Sequence, residues 1–313
     1  MKNKVLVLTR VKKSFQKKLL KLNLKNLEII IPKNEDEIRE NIGKANIILG
    51  APPIIKDYLN EAKNLAWVQS TFAGVDSLIS KELKQDYVLT NVKDTYGEMM
   101  AEYTIGYILL FKKKILQNIQ NQQNKIWQEE PDDTLKNEAI GIVGTGSIGK
   151  VIAKRSKTFG LKTYGFRSKN EPVKHFDKIF TKENLKDFLS QSDYIVSVLP
   201  RTKDTDDFFD KKTFSMMKKS AVFINIGRGN AVVENDLVEA LNKKIISKAV
   251  VDVFKEEPLP KNSILWKTPN LFITPHISGY TISNMIFKIF EENYNRFISN
   301  KELLYKIDFN KGY

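Results

Sequence analysis

The stretch GIVGTGSIGKVIAK, residues 141–154, holds Gly144, Gly146 and Gly149 in the spacing G-x-G-x-x-G. It follows an apolar run, EAIGIV, and opens an amphipathic segment, so it reads as strand, tight turn and helix. Each glycine has a physical task in that context. Gly144 permits the turn, Gly146 lets the backbone approach a pyrophosphate, and Gly149 allows the helix to pack on the strand. An anion would rest on the helix N-terminus, among Thr145, Ser147 and Ile148. The stretch predicts a dinucleotide-binding α/β unit.

The same alternation extends in both directions. Downstream, KTYGF (162–166), DYIVSVLP (193–200), AVFINIG (221–227), KAVVDVF (248–254) and NLFIT (270–274) are strand-like. ENDLVEALNKK (234–244) is a helix between them, with Leu237, Val238 and Leu241 on one face. Upstream, KVLVLTR (4–10), LEIII (27–31), NIILGA (46–51), LAWVQST (65–71) and YVLTN (87–91) are strands. SFQKKLLKL (14–22) and NEDEIRENI (34–42) are helices among these strands. One helical stretch runs from about Gly97 to Gln120, and NQQNKIWQEEPDD (121–133) follows as a junction. The final segment, TISNMIFKIFEENYNRFISN (281–300), is long enough to return to the first domain. Strands alternating with helices imply parallel sheets. The expected fold is α/β: two doubly wound parallel-sheet domains, a Rossmann cofactor domain inserted into a flavodoxin-like substrate domain. We assign residues 1–93 and 284–313 to the substrate domain and 94–283 to the cofactor domain.

Bulk composition agrees with a two-domain chain of 313 residues. A hydrophobic content of 42% with 28% charged residues fits a soluble protein, and no apolar run reaches membrane-spanning length. The start, MKNKVLVLTR, breaks at Thr9 and Arg10 and reads as a first strand, not a signal peptide, so a cytoplasmic location is expected. The absence of cysteine excludes a disulfide framework, a thiolate nucleophile and a Cys-ligated zinc, and no metal site is expected. The net charge of +14 raises the question of a nucleic-acid partner. The lysines are scattered through every segment, however, and no recognition pattern accompanies them, so none is expected.

Three positions carry candidate chemistry. In a dinucleotide site an acidic residue normally follows the second strand, to hold the ribose hydroxyls. Here KTYGF is followed by Arg167 and Ser168, donors suited to a 2′-phosphate, which favours NADP(H) while leaving NAD(H) open. INIGRGNAVVE (224–234) places Arg228 between Gly227 and Gly229 at the end of an apolar run, where a solvated turn is the plain alternative. His276, one of only two histidines, lies nineteen residues beyond Glu257. Its imidazole titrates near neutrality, as a proton donor to a reduced carbonyl must. The other histidine, His175, sits in a charged loop without a motif around it.

Four ordered motifs, GIVGTGSIGK, INIGRGNAVVENDLVEAL, VVDVFKEEPLP and TPHISGY, make the chain resemble the D-isomer-specific 2-hydroxyacid dehydrogenases, a family that includes glyoxylate and hydroxypyruvate reductases. The resemblance runs from about Val68 to about Tyr280 and implies reduction of a small 2-keto acid to the D-2-hydroxy acid. It implies that Arg228 projects into an interdomain cleft to grip and polarise the substrate. His276 would donate the proton, and Glu257, rather than Glu256, would pair with it. Ala73, Gly74 and Val75 would meet the substrate carboxylate through backbone N–H groups. Leu199 and Pro200 would lie beside the adenosine ribose, Ile226, Asp252, Ser278 and Gly279 near the nicotinamide, and Thr205, Gly227, Arg228 and His276 would also touch the cofactor. A homodimer joined through the segment after Gly97 is also implied. The alternatives are an NAD-linked dehydrogenase oxidising another acid, such as a phosphoglycerate-type substrate, and a non-enzymatic, dinucleotide-sensing corepressor-like protein.

Overall fold

A computed structural model describes residues 2–9, 18–22, 24–129, 133–279 and 283–309. Parts of the expected elements SFQKKLLKL, NQQNKIWQEEPDD and TISNMIFKIFEENYNRFISN lie outside the described residues, as do Arg10 of the first strand and Tyr280 of the last motif. The chain divides into two compact units, residues 1–95 with 281–313 and residues 96–280.

The first unit is built on β1 (Asn3–Leu8), β2 (Leu27–Ile30), β3 (Ile47–Gly50), β4 (Trp67–Ser70) and β5 (Val88–Thr90). All pair in parallel, in the order β2-β1-β3-β4-β5. This is the flavodoxin-like order. Runs such as IILG in β3 are buried along their whole length because the sheet is covered on both faces. The helix Ser283–Ile298 supplies part of that cover, burying Ile286, Ile289, Phe290 and Tyr294 at helical spacing. Trp67 stacks on Phe290 and Phe297 with ring centroids 5.4 and 5.6 Å away. A polar chain runs beneath the rings. Trp67 Nε1 donates to Thr90 Oγ1 (2.8 Å), and Thr90 Oγ1 and Asn293 Nδ2 both donate to Gln69 Oε1. Gln69 is fully buried, so these bonds offset its desolvation.

The second unit holds β6 (Ala139–Val143), β7 (Lys162–Phe166), β8 (Lys178–Phe180), β9 (Tyr194–Ser197), β10 (Val222–Asn225), β11 (Lys248–Val251) and β12 (Leu271–Ile273). They form one parallel sheet in the order β12-β11-β10-β9-β6-β7-β8. This is the dinucleotide-binding order with one further strand, and its direction of growth reverses between β6 and β9. The expected α/β class and the paired parallel sheets are as observed.

Two local readings need correction. The stretch from Gly97 to Gln120 is two helices, Gly97–Lys112 and Ile115–Gln123, separated where Lys114 takes a left-handed conformation (φ 47°, ψ 34°). Strand β8 was not among the expected elements. It is three residues long at the sheet edge, with only Ile179 and Phe180 apolar, too short for alternation to register.

Candidate active site

All the candidate residues of the second unit follow the carboxyl ends of its parallel strands, where ligands bind in such sheets. Gly144 follows β6 with φ of 106°, a conformation that L side chains rarely adopt. The helix Ser147–Thr158 begins at once, with Gly146 as its N-cap and no acidic residue in its first turn. Gly149 brings that helix against the turn: an added Cβ would lie 2.1 Å from Gly144 O. Thr145 is nearly buried, whereas Ser147 and Ile148 are more open. A cradle of backbone N–H groups at an unopposed helix N-terminus fits a pyrophosphate.

Arg167 follows β7, and its backbone N–H is held by Phe180 O (3.0 Å). Its guanidinium stands 3.6 Å from the Glu171 carboxylate, an ion pair too long for a hydrogen bond. Glu171 escaped the sequence reading, which looked for a carboxylate only at the strand end. Ser168 is exposed beside it. Beyond β9, Thr205 Oγ1 donates to Pro200 O (2.7 Å), fixing the loop that carries Leu199 and Pro200.

Beyond β10, Ile226 is buried and its N–H reaches Ser197 O (3.1 Å). The buried Asn225 amide accepts from Gly227 N (3.3 Å) and donates to Arg228 O (3.0 Å), clamping the loop that presents the arginine. Asn225 was not among the expected site residues, although it stands within the quoted INIGRG. The Arg228 guanidinium donates to Gly227 O (2.9 Å). An added Cβ would come within 2.7 Å of Leu199 N at Gly227 and 2.0 Å of Phe254 C at Gly229, so backbone packing alone accounts for both glycines.

His276 and Glu257 are brought together. Nδ1 of His276 lies 2.7 Å from Glu257 Oε2, and the other carboxylate oxygen accepts from Phe254 N (2.9 Å). An ionised carboxylate can only accept, so Nδ1 carries the proton and Nε2 is the nitrogen left to face a ligand. The imidazole is half exposed. Its bond to Glu257 raises its pKa, against the opposing effect of burial. Burial would raise the Glu257 carboxyl, but the hydrogen bonds from His276 and Phe254 N–H outweigh it, assisted by the charges of His276 and Arg228, and hold it below its ordinary value. Glu256 is exposed.

Asp252, after β11, is fully buried. Its Oδ1 accepts from Thr274 Oγ1 (2.5 Å) and Ile277 N (2.8 Å), and its Oδ2 from Ser278 N (2.9 Å). Ser278 is buried, and an added Cβ at Gly279 would touch Met100 at 3.2 Å. In the first unit, Asn91 Nδ2 donates to Ala73 O (2.7 Å), fixing the loop of Ala73, Gly74 and Val75 after β4. Among the described residues no group of three metal-ligating side chains is found, and no helix is long and apolar enough to cross a membrane.

Comparison with known proteins gives this arrangement its family. Residues 105–278 match the NAD-binding domain of the D-isomer specific 2-hydroxyacid dehydrogenases. A family protein of that name from Aeromonas salmonicida subsp. salmonicida superposes with a TM-score of 0.94 at 38% identity, over 99% of this chain and 100% of that one. An NADPH-dependent glyoxylate/hydroxypyruvate reductase from Sinorhizobium meliloti, solved with NADP and sulfate, gives 0.89 at 25% identity over the whole of both chains. A glyoxylate/hydroxypyruvate reductase A from Yersinia enterocolitica is 28% identical over 269 residues, 84% of this chain and 85% of its own. The strand order, the glycine turn and these matches together establish that the chain belongs to the D-isomer specific 2-hydroxyacid dehydrogenase family of NAD(P)-dependent oxidoreductases.

Proposed function

We propose that this chain reduces a small 2-keto acid of the glyoxylate or hydroxypyruvate type to its D-2-hydroxy acid, with NADPH as preferred reductant. The observation that carries the reading is the 2.7 Å contact between His276 and Glu257 at the carboxyl edge of the second sheet. The loop Gly144–Gly149 and the loops after β9 to β12 would hold a reduced nicotinamide dinucleotide, which would supply the hydride for the keto carbon. Negative charge then builds on the carbonyl oxygen, and His276, kept protonated by Glu257, gives it a proton from Nε2. Arg228 holds the substrate carboxylate with a planar fork and polarises the carbonyl. Backbone N–H groups of Ala73, Gly74 and Val75 serve the same carboxylate.

On the cofactor side, the loop Gly144–Gly149 takes the pyrophosphate and Arg167 with Ser168 takes the 2′-phosphate. Leu199 and Pro200 serve the adenosine ribose, Ile226, Asp252, Ser278 and Gly279 the nicotinamide side, and Thr205 and Gly227 complete the cofactor site. The Sinorhizobium and Yersinia relatives' names support the substrate class, and the NADPH of the former supports the choice of cofactor. Residues 94–283 are taken as the cofactor domain and the remainder as the substrate domain of a cytoplasmic homodimer. The exposed Ile115, Leu116, Ile119 and Ile126, with Trp127 93% exposed, form an apolar face that a second copy would cover.

The test mixes purified protein with NADPH or NADH and a panel of 2-keto acids, following absorbance of the reduced nicotinamide. Glyoxylate or hydroxypyruvate with NADPH should give the highest kcat/KM. Absence of turnover with every keto acid would remove the proposal. Light-scattering mass tests the dimer: Trp127→Asp should lower it to that of a monomer, and a monomeric wild type would contradict the interface.

A further inference from the structure

We propose that Tyr103 and Thr274 are positioning residues for the proton donor, joined in a one-way hydroxyl chain that ends on the buried Asp252 carboxylate and sets the loop bearing His276. The inference rests on the reading of His276 as the proton donor. The Thr274 hydroxyl donates to Asp252 Oδ1 at 2.5 Å, so its hydrogen is committed. Tyr103 OH lies 2.6 Å from the same Thr274 oxygen and must therefore be the donor to it. Burial pushes the Tyr103 phenol well above its ordinary range, which keeps this donor protonated. The direction is thus tyrosine to threonine to carboxylate.

The other contacts of that carboxylate run to the histidine's own loop. Ile277 N and Ser278 N, the two residues after His276, donate to its two oxygens at 2.8 and 2.9 Å, and His276 N donates to Asp252 O at 2.9 Å. His276 itself has φ of 55°, a conformation that local bonds must hold for a residue with a Cβ. A fully buried carboxylate needs all its donors, and Thr274 supplies the only side-chain one among the bonds described. Tyr103 comes from the helix Gly97–Lys112, which ties the histidine loop to a rigid element.

The experiment compares Thr274→Val, Thr274→Ser, Tyr103→Phe and His276→Asn, reading kcat and KM with glyoxylate and NADPH, and NADPH Kd by fluorescence. Thr274→Val should lower kcat roughly tenfold or more, since displacing a reacting group by about 1 Å can cost about 100-fold. Its NADPH Kd should rise by no more than about threefold, well short of the fall in kcat, since Asp252 and Ser278 are only part of the cofactor site, and Thr274→Ser should restore most of the lost kcat, because it returns the hydroxyl. Tyr103→Phe should lower kcat by roughly threefold, the scale of one neutral hydrogen bond. In the Thr274→Val background it should add nothing further. Should Thr274→Val not fold, Tyr103→Phe and Thr274→Ser decide the matter. Equal losses in the Val and Ser variants, a matching loss of NADPH affinity, or unchanged kcat in Tyr103→Phe would overturn the inference. Normal turnover in His276→Asn would instead overturn the reading on which it rests.

Discussion

Gly146→Ala separates what the glycine loop does for the fold from what it does for the cofactor. At Gly149 an added Cβ would stand 2.1 Å from Gly144 O and 3.3 Å from Ile142 Cγ2. Carbon and carbonyl oxygen need about 3.3 Å, so the helix Ser147–Thr158 must retreat by about 1 Å. Overpacking of that size costs about 1–3 kcal/mol, which should lower Tm of a unit this long by roughly 2–12 °C. At Gly146, by contrast, nothing lies within 4 Å of an added Cβ, and its φ of −73° suits an L residue. Alanine there loses some capping but gains about 0.4–1 kcal/mol by restricting the unfolded chain, so Tm should stay within about 2 °C of wild type. The methyl group nonetheless fills space that a pyrophosphate needs. Losing one charge-assisted hydrogen bond, worth about 1.5–3 kcal/mol, should weaken NADPH binding by roughly 10- to 100-fold. Fluorescence titration with NADPH, alongside melts without cofactor, reads both quantities. Wild-type NADPH affinity in Gly146→Ala would refute the placement of the pyrophosphate over this residue.

Arg228→Lys keeps the charge but loses the planar fork, so keto-acid KM should rise about tenfold with little change in NADPH Kd, measured by steady-state kinetics and titration. Keto-acid reduction should fall as pH rises through the raised pKa of His276, because only the imidazolium can donate. Glu257→Gln removes the main cause of that elevation, so the basic limb of its pH profile should move to lower pH; an unmoved limb would break the pairing argument. Arg167→Asp should shift the kcat/KM preference from NADPH towards NADH, by a margin that shrinks with salt. Glu171→Gln should tighten NADPH binding by about two- to fivefold and leave NADH unchanged, since it removes a competitor for the Arg167 guanidinium.

The legible parts of this chain were those where one residue type is forced. The wholly buried AIGIV of β6 and the positive φ of Gly144 leave marks that any reader of apolar runs and glycine spacing can find. So does the buried face of Leu237, Val238 and Leu241. What escaped is held by side-chain contacts or brief elements that neither apolar periodicity nor glycine spacing marks. Strand β8 is held by pairing with β7, not by its own three residues. The helix break at Lys114 carries no glycine or proline to announce it. Asn225 works through backbone groups two and three residues on, a local role that polar side chains at strand ends often lack. Glu171 pairs with Arg167 from four residues on, beyond the strand end where a carboxylate was sought, and Thr274, although it opens the quoted TPHISGY, acts through Asp252 and Tyr103, partners far away in sequence.

The most direct test of the central claim is turnover and cofactor binding in His276→Asn, which keeps a polar side chain of similar reach but cannot carry a titrating proton. With glyoxylate or hydroxypyruvate and NADPH, kcat should fall by roughly 100-fold or more, the range for loss of a general acid, while NADPH Kd stays within about twofold of wild type. A kcat within about threefold of wild type would contradict the assignment of the proton to His276.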